Sequence, residues 1–438
     1  MHAIFSSLLA YTALLAGVLA FVPGAGLLGA LAVSLAVVLG WRSMRVVPRG
    51  VFVVAGLALV FALGRDPALI AGAATNMTRL AGLILAVLLL SSVLARSRDL
   101  QKISSSLFSG NSRARYASVT FGTALVSVPL NFGSVAVVGS LVAERIRKDG
   151  DSAATRNGTR AVLRGFGVSP IWSPLSISVA LTLTLVPGLS SAQLLSVAMP
   201  FALLVLLAGF FWLEREPVAG PTVPGDRASW TSWFRFGSII AAICAGVFIF
   251  SHWYDLSYAR SVTLSCLCVV ALGWLLSWFG GNSPRLPNMA NVSNELAIVG
   301  GSAFIGSIIS AVVLGEMGGA VNLPGWSWPL LAALVPWGFF LAGLAGVNPI
   351  VMGTLAGGIL GSVWPASAVL GLGFAMVSGW GVTAFGTPFA ANALIMERLT
   401  GYPARDASLR WSLALSLSAL TAASLVAAAL TLWLAGWG

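Results

Sequence analysis

The stretch Gly167-Val168-Ser169-Pro170-Ile171-Trp172-Ser173-Pro174 returns later in the chain as Gly381-Val382-Thr383-Ala384-Phe385-Gly386-Thr387-Pro388. Both copies follow the pattern Gly-Val-[Ser/Thr]-x-x-x-[Ser/Thr]-Pro and lie inside apolar runs. Proline removes a backbone donor and clashes with the preceding turn, so each copy predicts a break in a membrane helix. Two broken helices at matching places in two halves of a chain indicate the binding site of a transporter.

The composition is that of a polytopic, all-α membrane protein. Of the 438 residues, 58% are hydrophobic and 8% are charged, whereas about a quarter of a soluble domain is charged. The cysteines Cys244, Cys266 and Cys268 lie in apolar runs, and their spacing suggests neither a metal site nor a disulfide framework. The net charge of +11 is explained by topology below, so nucleic acid is not expected as a partner.

The first half of the chain contains a predicted re-entrant hairpin. Residues 1–22 form an extra amino-terminal helix that is expected to be retained, and 23–213 form a first repeat. Within this repeat, the segment 113–148 is apolar in the middle and basic at both flanks, with its turn at Pro129 to Ser134. A full crossing would place one basic flank on the wrong side, so two half-length helices are predicted to enter and leave on one face. A broken helix, 156–186, follows the hairpin.

The second half repeats this order. A hydrophilic linker, 214–235, joins it to the second repeat, 236–438. The apolar run 326–363 is too long for one crossing and is interrupted at Gly346-Val347-Asn348-Pro349, which predicts a second hairpin. A second broken helix, 366–396, follows. The sequence therefore predicts about 11 transmembrane helices in two repeats, each with a re-entrant hairpin and a broken helix.

The basic residues predict the orientation in the cell inner (plasma) membrane. All of the 24 lysines and arginines except Arg65, Arg79 and Arg260 fall on one side of this topology. The positive-inside rule then makes the amino terminus, the first hairpin and the linker cytoplasmic, and places the carboxyl terminus outside. The two repeats are inverted relative to one another, and the second hairpin enters from outside.

The four interruptions collect neutral polar groups. Helix amino ends that point into the membrane attract anions, and carbonyl and hydroxyl oxygens coordinate cations such as sodium. The simpler alternative is that these hydroxyls bond to carbonyls of the preceding turn or to neighbouring helices. The predicted substrate-binding residues are Asn131, Phe132, Gly133, Ser134, Ser169, Ser173, Asn348, Pro349, Thr383, Thr387 and Arg164. The predicted sodium-binding residues are Ser127, Asn131, Gly167, Ser169, Asn348, Thr354, Gly381 and Thr383.

Charged candidates near the interruptions are few. Arg156, Arg160 and Arg164 recur every four residues and therefore share one helical stripe. Two interpretations of Arg164 stay open at this point: a guanidinium that snorkels to the cytoplasmic surface, or one that faces an anionic substrate. The sequence places no carboxylate or histidine at the breaks, and a proton relay normally needs a buried ionisable group. This favours sodium coupling over proton coupling, and no cofactor is expected.

At this level the chain resembles the ion transporter superfamily, and in particular the divalent anion/sodium symporters. The resemblance rests on the topology, on Asn131-Phe132-Gly133-Ser134 and Gly346-Val347-Asn348-Pro349 at the hairpin turns, and on the two Gly-Val-[Ser/Thr] breaks. In that family each turn bears Ser-Asn-Thr and holds sodium and a substrate carboxylate, whereas this chain keeps only an asparagine in each. The resemblance implies elevator-type alternating access and a scaffold that commonly dimerises, so a homodimer is expected.

The most favoured function from sequence is cation-coupled transport of a small organic anion, such as a carboxylate. The Gly-x-Asn-Pro turn also resembles the membrane subunits of tripartite carboxylate carriers, which would imply a separate binding protein. An anion channel is a further alternative because broken helices also line pores. An intramembrane enzyme is disfavoured because the sequence offers no Ser/His dyad, carboxylate pair or metal motif at the breaks.

Overall fold

The computed structural model describes residues 2–95, 97–216, 230–279, 286–316 and 323–436, and these residues form helices and connecting turns with no strand. The all-α prediction is therefore confirmed. The α-helices are α1 (His2–Val18), α2 (Ala25–Gly40), α3 (Val46–Arg65), α4 (Ala68–Leu94), α5 (Arg98–Ser106), α6 (Ser112–Leu130), α7 (Phe132–Asp149), α8 (Ala153–Trp172), α9 (Ile177–Leu185), α10 (Ser191–Ala208), α11 (Trp230–His252), α12 (Tyr258–Phe279), α13 (Ser293–Glu316), α14 (Ser327–Leu344), α15 (Pro349–Val363), α16 (Val369–Gly386), α17 (Ala391–Thr400) and α18 (Leu413–Leu434).

The described residues contain 11 helical segments that are long and apolar enough to cross a membrane. Two of these segments, Ala153–Leu185 and Ala366–Thr400, contain the interruptions predicted from the repeated motif. The predicted set also had about 11 members, but one member differs. The apolar helix Ala3–Val18 is too short to count, because it extends about 24 Å against a hydrocarbon core of about 30 Å. Its place is taken by Ser327–Leu344, which was predicted as one arm of the second hairpin.

The chain forms two compact units, and each unit draws on both halves of the sequence. Unit 1 contains Met1–Val93, Ala241–Asn322 and Gly353–Val363, and unit 2 contains Leu94–Ile240, Leu323–Met352 and Trp364–Gly438. Each unit therefore contains segments from both predicted repeats, 23–213 and 236–438. The boundaries of these repeats stay predictions. Residues 217–229 of the predicted linker, and Arg285, lie outside the described residues.

Unit 1 is held together by small residues and buried hydroxyl groups. A Cβ atom on Gly17 of α1 would lie 2.8 Å from the Cα atom of Gly82 in α4. The Thr78 hydroxyl donates to the carbonyl of Gly26 at 2.6 Å. Such close contacts between helix backbones are typical of membrane interiors, where packing and hydrogen bonds replace the hydrophobic effect between helices. The predicted sodium ligand Thr354 lies in this unit, in contact with Gly306 of α13.

Unit 2 contains the first hairpin and both broken helices. Helix α8 packs against α6 and α16, while α14 packs against α16 and α18. Helix α7 of the first hairpin packs against α17, the second part of the second broken helix. Helices α6, α7, α8 and α17 share one apolar cluster, which includes Val119, Val135, Val138, Leu163, Phe166, Ala393 and Met396. Elements from both halves of the chain therefore build one core around the interruptions.

Helix α5 was missed by the sequence analysis, which treated the polar segment from Arg96 to Arg115 as a connection. In the structure, Leu100 and Ile103 of α5 are buried against Val126 and Leu130, close to the turn of the first hairpin. The spacing of three residues puts the two apolar side chains on one face of a short amphipathic helix.

Candidate functional site

The first hairpin turns at Asn131. Helices α6 and α7 pack against each other, and their outer ends, at Arg115 and Arg145, line one pocket. Asn131 has φ 49° and ψ −129°, a backbone conformation that favours glycine. The carbonyl of Asn131 accepts hydrogen bonds from the amide of Ser134 at 3.1 Å and from its hydroxyl at 2.7 Å. The predicted turn is thus a single strained residue between two helices.

The first broken helix is interrupted between Trp172 and Ile177. Pro174 has no N–H, so the carbonyl of Pro170, four residues earlier, loses its normal helical donor. The hydroxyls of Ser176, at 3.4 Å, and Ser178 donate to this carbonyl instead. The Ser176 hydroxyl also accepts from the amide of Val179 at 3.3 Å and so caps the amino end of α9.

The second broken helix repeats this arrangement with a different side chain. Pro388 deprives the carbonyl of Ala384 of its donor, and the side-chain amide of Asn392 donates to that carbonyl at 2.8 Å across the break. Asn392 is 1% exposed. In both motif copies, therefore, the carbonyl of the fourth residue has lost its helical N–H donor and accepts a hydrogen bond from a polar side chain beyond the break. The sequence analysis identified the breaks but named neither Ser178 nor Asn392.

The two motif copies meet where α8 and α16 cross. A Cβ atom on Gly167 would lie 2.5 Å from the Cβ and 2.7 Å from the amide nitrogen of Phe385. A Cβ atom on Gly381 would overlap the side chain of Ile171 and lie 3.1 Å from the carbonyl oxygen of Gly167. Both motif glycines, which were predicted to bind sodium, thus allow the broken helices to approach closely.

The predicted threonines of the second break bond within their own helix. The Thr383 hydroxyl donates to the carbonyl of Gly379 at 2.7 Å, and the Thr387 hydroxyl donates to the carbonyl of Thr383 at 2.8 Å. This is the simpler alternative considered for such hydroxyls. The end of α14 packs against them, since a Cβ atom on Gly343 would overlap the methyl group of Thr383 and lie 3.4 Å from the Thr387 hydroxyl.

A turn between Leu344 and Pro349 joins α14 and α15, the predicted arms of the second hairpin. Gly346 has φ 82° and permits the reversal. The side-chain oxygen of Asn348 accepts a hydrogen bond from the amide of Ile350 at 2.9 Å, and Pro349 is the first residue of α15. Asn348 and Pro349 therefore form a standard helix start, with the asparagine oxygen engaged as the cap.

Four helices begin at the interruptions, and two of them have no side-chain cap. Ser176 caps α9 and Asn348 caps α15, whereas neither Asn131 before α7 nor Ala390 before α17 supplies a cap. Uncapped amino ends carry free N–H groups and a partial positive charge. Among the four helices that begin at the interruptions, α7 and α17 are the two that leave backbone donors for a ligand.

The uncapped ends of α7 and α17 lie at the same level of unit 2. A Cβ atom on Gly139 would lie 2.7 Å from the sulfur of Met396. Beyond the carboxyl ends of both helices, the Tyr402 hydroxyl donates to Asp151 at 2.6 Å. The helices therefore run in the same direction, and the rise of 1.5 Å per residue places their starts within about 3 Å of each other along the axis. Phe132, at the start of α7, is 40% exposed and stacks on Phe166.

A cluster of buried oxygen atoms lies between α6 and α8. The Ser127 hydroxyl donates to the carbonyl of Ala124 at 2.8 Å and is also within hydrogen-bonding distance of the Ser169 hydroxyl. The Ser169 hydroxyl has the carbonyls of Gly165, at 3.2 Å, and Ala124, at 3.4 Å, as further acceptors. Within the described part of the chain, the hydroxyls of Thr120 and Thr123 on α6 are buried without a hydrogen-bond partner. Ser127 and Ser169 were predicted as sodium ligands, and the two threonines were not. Hydroxyl and carbonyl oxygens of this kind are sodium-type ligands.

Arg164 is 1% exposed and hydrogen-bonds to the protein on all sides. Its guanidinium donates to Tyr116 Oη at 3.0 Å, to the carbonyl of Gly209 at 2.9 Å, to the carbonyl of Trp411 at 3.2 Å and to Ser412 Oγ at 3.4 Å. A buried guanidinium does not snorkel, so that interpretation is wrong. The acceptors are neutral, and they tie α8 to α6 and to the segments that follow α10 and α17.

The other two arginines of this stripe hold the segment after α10. Arg156 Nε donates to Glu214 at 2.7 Å, and Arg160 donates to the other carboxylate oxygen at 2.6 Å. Burial raises the pKa of Glu214, but the hydrogen bond from Arg156 and the charge of Arg160 outweigh it, so the pKa of this carboxyl lies below its usual value. The stripe is thus a structural clamp on the residues that precede the predicted linker.

The remaining predicted residues have the following positions. Ser173 and Ser134 are buried, at 2% and 0% exposure, and Gly133 is half-buried beside the uncapped end of α7. Thr354 contacts Gly306 in unit 1, so it is not part of the unit that holds the other candidates. Across the described ranges, no group of three or more histidine, cysteine or acidic side chains could hold a metal ion.

One solved structure provides a comparison for the whole fold. The chain matches the crystal structure of the Alcanivorax borkumensis YdaH transporter with a TM-score of 0.52 and 16% identity, over 83% of this chain and 88% of that one. This chain shares that fold. Neither a protein-family model nor a curated protein matches the sequence. The comparison therefore shows that the overall architecture of this chain is also that of a transporter.

Proposed function

We propose that this protein is a secondary active transporter of a small organic anion. The observation that carries the proposal is the placement of two uncapped helix amino ends, those of α7 and α17, at one level beside paired broken helices. The fold that the chain shares with the YdaH transporter supports the same class of activity. A carboxylate is the favoured substrate group because it can accept hydrogen bonds from both sets of free backbone amides.

The charges around the interruptions agree with an anionic substrate. The sequence has no aspartate or glutamate at either hairpin turn or at either break, so no fixed negative charge repels an anion there. The free N–H groups at the starts of α7 and α17 would donate to the anion, and hydrogen bonds to a charged acceptor are stronger than those between neutral groups. In this proposal, Asn131, Phe132, Gly133 and Ser134 contact the substrate from one side, and the start of α17 contacts it from the other.

The coupling ion in this proposal is sodium. The oxygen cluster of Ser127, Ser169, Thr123 and the carbonyl of Ala124 supplies neutral ligands between α6 and α8. A cation inserted there would engage the buried threonine hydroxyl, which otherwise remains costly. Proton coupling has less support because the described interruptions contain no ionisable side chain.

In the proposed arrangement the repeats are inverted, the hairpins and broken helices move together as an elevator, and the remaining spans form the scaffold of a homodimer in the cell inner membrane. Cysteines introduced at Lys148 and Tyr254 test the orientation, since this topology puts Lys148 in the cytoplasm and Tyr254 outside. Labelling of both positions from the same side would contradict it.

The decisive experiment is counterflow exchange in liposomes that contain the purified full chain. We expect accumulation of radiolabelled succinate, citrate or sulfate against its gradient when the same unlabelled anion is inside, with sodium but not with choline. Flux that follows only the electrical gradient, without exchange, would instead indicate the anion channel. Exchange that requires an added soluble protein would indicate a binding-protein-dependent carrier.

A matched pair of serine variants tests the sodium site. Ser127→Ala should raise the sodium concentration for half-maximal exchange by about tenfold, which is the effect of losing one ligand worth about 1.4 kcal/mol. Ser140→Ala is the control, because this exposed serine of α7 bonds only to the carbonyl of Val137 in its own helix. Equal sodium dependence in both variants would remove the α6–α8 cluster from the mechanism.

A further inference from the structure

An open pocket lies at the end of unit 2 where the first hairpin enters and leaves. The apolar side chains Phe108, Val119 and Val142 form its walls, and Arg115, Arg145 and Glu216 lie at its polar rim. It contains none of the residues at the four interruptions, so it is separate from the proposed transport site.

The two guanidinium groups at this rim differ in their partners. Arg115 forms an ion pair with Glu216, whose carboxylate also accepts from the side-chain amide of Asn157 at 3.1 Å. In the described part of the chain, Arg145 has no carboxylate within 4.0 Å and instead lies 5.9 Å from the centre of the Phe108 ring. The two guanidinium groups face the carboxylate of Glu216, and Asp149 lies one turn beyond Arg145 on α7. The residues that line the pocket itself keep a net positive charge.

The carboxylate of Glu216 is the negatively charged group at this rim. Its side chain is 8% exposed, and that of Arg115 is 13% exposed, so the pair is largely shielded from solvent screening. Helices α6 and α8 both begin at this pocket, with Ser112 and Ala154 among its lining residues. Their amino ends add to the positive potential that holds the carboxylate.

We propose that this pocket binds a phosphate group at Arg145, and that the carboxylate of Glu216 weakens this binding. Guanidinium groups recognise phosphate oxygens through paired hydrogen bonds, and Ser112, which carries a hydroxyl donor, also lines the pocket. Two sources offer the same chemistry: the headgroup phosphate of an anionic lipid, and free phosphate in solution. The apolar walls next to the rim are compatible with a lipid headgroup or with free phosphate, because only the phosphate group needs to contact the polar side chains.

The test measures binding to the full chain and does not require transport. In one arm, inorganic phosphate is titrated against chloride at equal ionic strength, and the thermal stability of the detergent-purified protein is followed. In the other arm, the protein is placed in phosphatidylcholine bilayers with or without phosphatidylglycerol, and the retained lipid is counted by native mass spectrometry. A response only to phosphate would assign a soluble ligand, and a response only to phosphatidylglycerol would assign a lipid. No response in either arm would overturn the proposal.

Three variants connect the response to the pocket. Arg145→Gln should weaken binding at least tenfold, whereas Arg147→Gln, the same charge change at an exposed position two residues on, should change it less than twofold. Arg145→Lys should retain part of the affinity, which separates loss of charge from misfolding. Glu216→Gln should strengthen binding about tenfold, because one nearby like charge is removed. Equal affinities in Arg145→Gln and Arg147→Gln, or weaker binding in Glu216→Gln, would contradict the assignment.

Discussion

Replacing Gly167 by alanine should separate a packing role of the repeated motif from a role in ion binding. The new Cβ would lie 2.5 Å from the Cβ, 2.7 Å from the amide nitrogen and 2.9 Å from the Cα of Phe385. None of these atoms is the end of a flexible side chain, so α16 must shift by about 0.9 Å to restore an ordinary contact of 3.4 Å. Overpacking of this kind costs about 3 kcal/mol, and the better helix propensity of alanine returns about 1 kcal/mol.

The expected result is a loss of about 2 kcal/mol of stability, or roughly 4–8 °C in the midpoint of thermal unfolding. The measurement is intrinsic tryptophan fluorescence of the detergent-purified protein during heating. Gly381→Ala should cost a similar amount, because its Cβ would lie 2.3 Å from Cγ1 of the buried Ile171 and 3.1 Å from the carbonyl oxygen of Gly167, and a β-branched side chain is stiff. Gly237→Ala is the control, since a Cβ there meets no atom within 4 Å. If Gly167→Ala were as stable as Gly237→Ala, the crossing of α8 and α16 would not be the reason for the motif.

Three further predictions concern other parts of unit 2. Arg164→Gln should unfold at a lower temperature than Arg156→Gln, because it leaves the buried carbonyls of Gly209 and Trp411 without a donor; equal midpoints would contradict this. Asn131→Gly should raise the unfolding midpoint, since it relieves a backbone strain of about 1–3 kcal/mol, yet lower the exchange rate, and unchanged exchange would remove the asparagine amide from the site. Because the pKa of Glu214 is lowered, its contribution to stability is complete above its ordinary pKa of 4.5 and is lost as the pH falls through the lower pKa of the folded state. Glu214→Gln should therefore flatten the acid side of a plot of unfolding midpoint against pH. An unchanged acid side would refute this assignment.

The interruptions could be predicted from sequence because their cause is local. Proline lacks an N–H wherever it occurs, so Pro174 and Pro388 determine that α8 and α16 stop nearby, and the structure ends these helices at Trp172 and Gly386. The side of the membrane on which each flank of the first hairpin lies is likewise predicted from the positive charge of that flank alone. Both kinds of signal can be interpreted without knowing what packs around them.

The partners of the interrupted segments could not be predicted in this way. The donor to Ala384 is Asn392, and the acceptors of Arg164 include Gly209 and Trp411, which are 45 and 247 residues away. Nothing in the composition of these segments identifies one carbonyl among many as the partner. Helix α5 was missed for a related reason, since Leu100 and Ile103 are only two apolar residues in a polar stretch and become significant through contact with α6.

The packing of α7 on α17 has a consequence for biosynthesis. The bond between Thr155 and Tyr402 joins residues 247 positions apart, and Val138 and Met396, which belong to one apolar cluster, are also more than 240 positions apart in the chain. At roughly 5–20 residues per second, translation leaves the newly inserted α7 and α8 without their partner for on the order of 10–50 s. During that time the strained turn at Asn131 and the buried charge of Arg164 lack the segments that stabilise them. Nascent chains that stop before α17 should therefore be the forms that membrane quality-control proteases remove first.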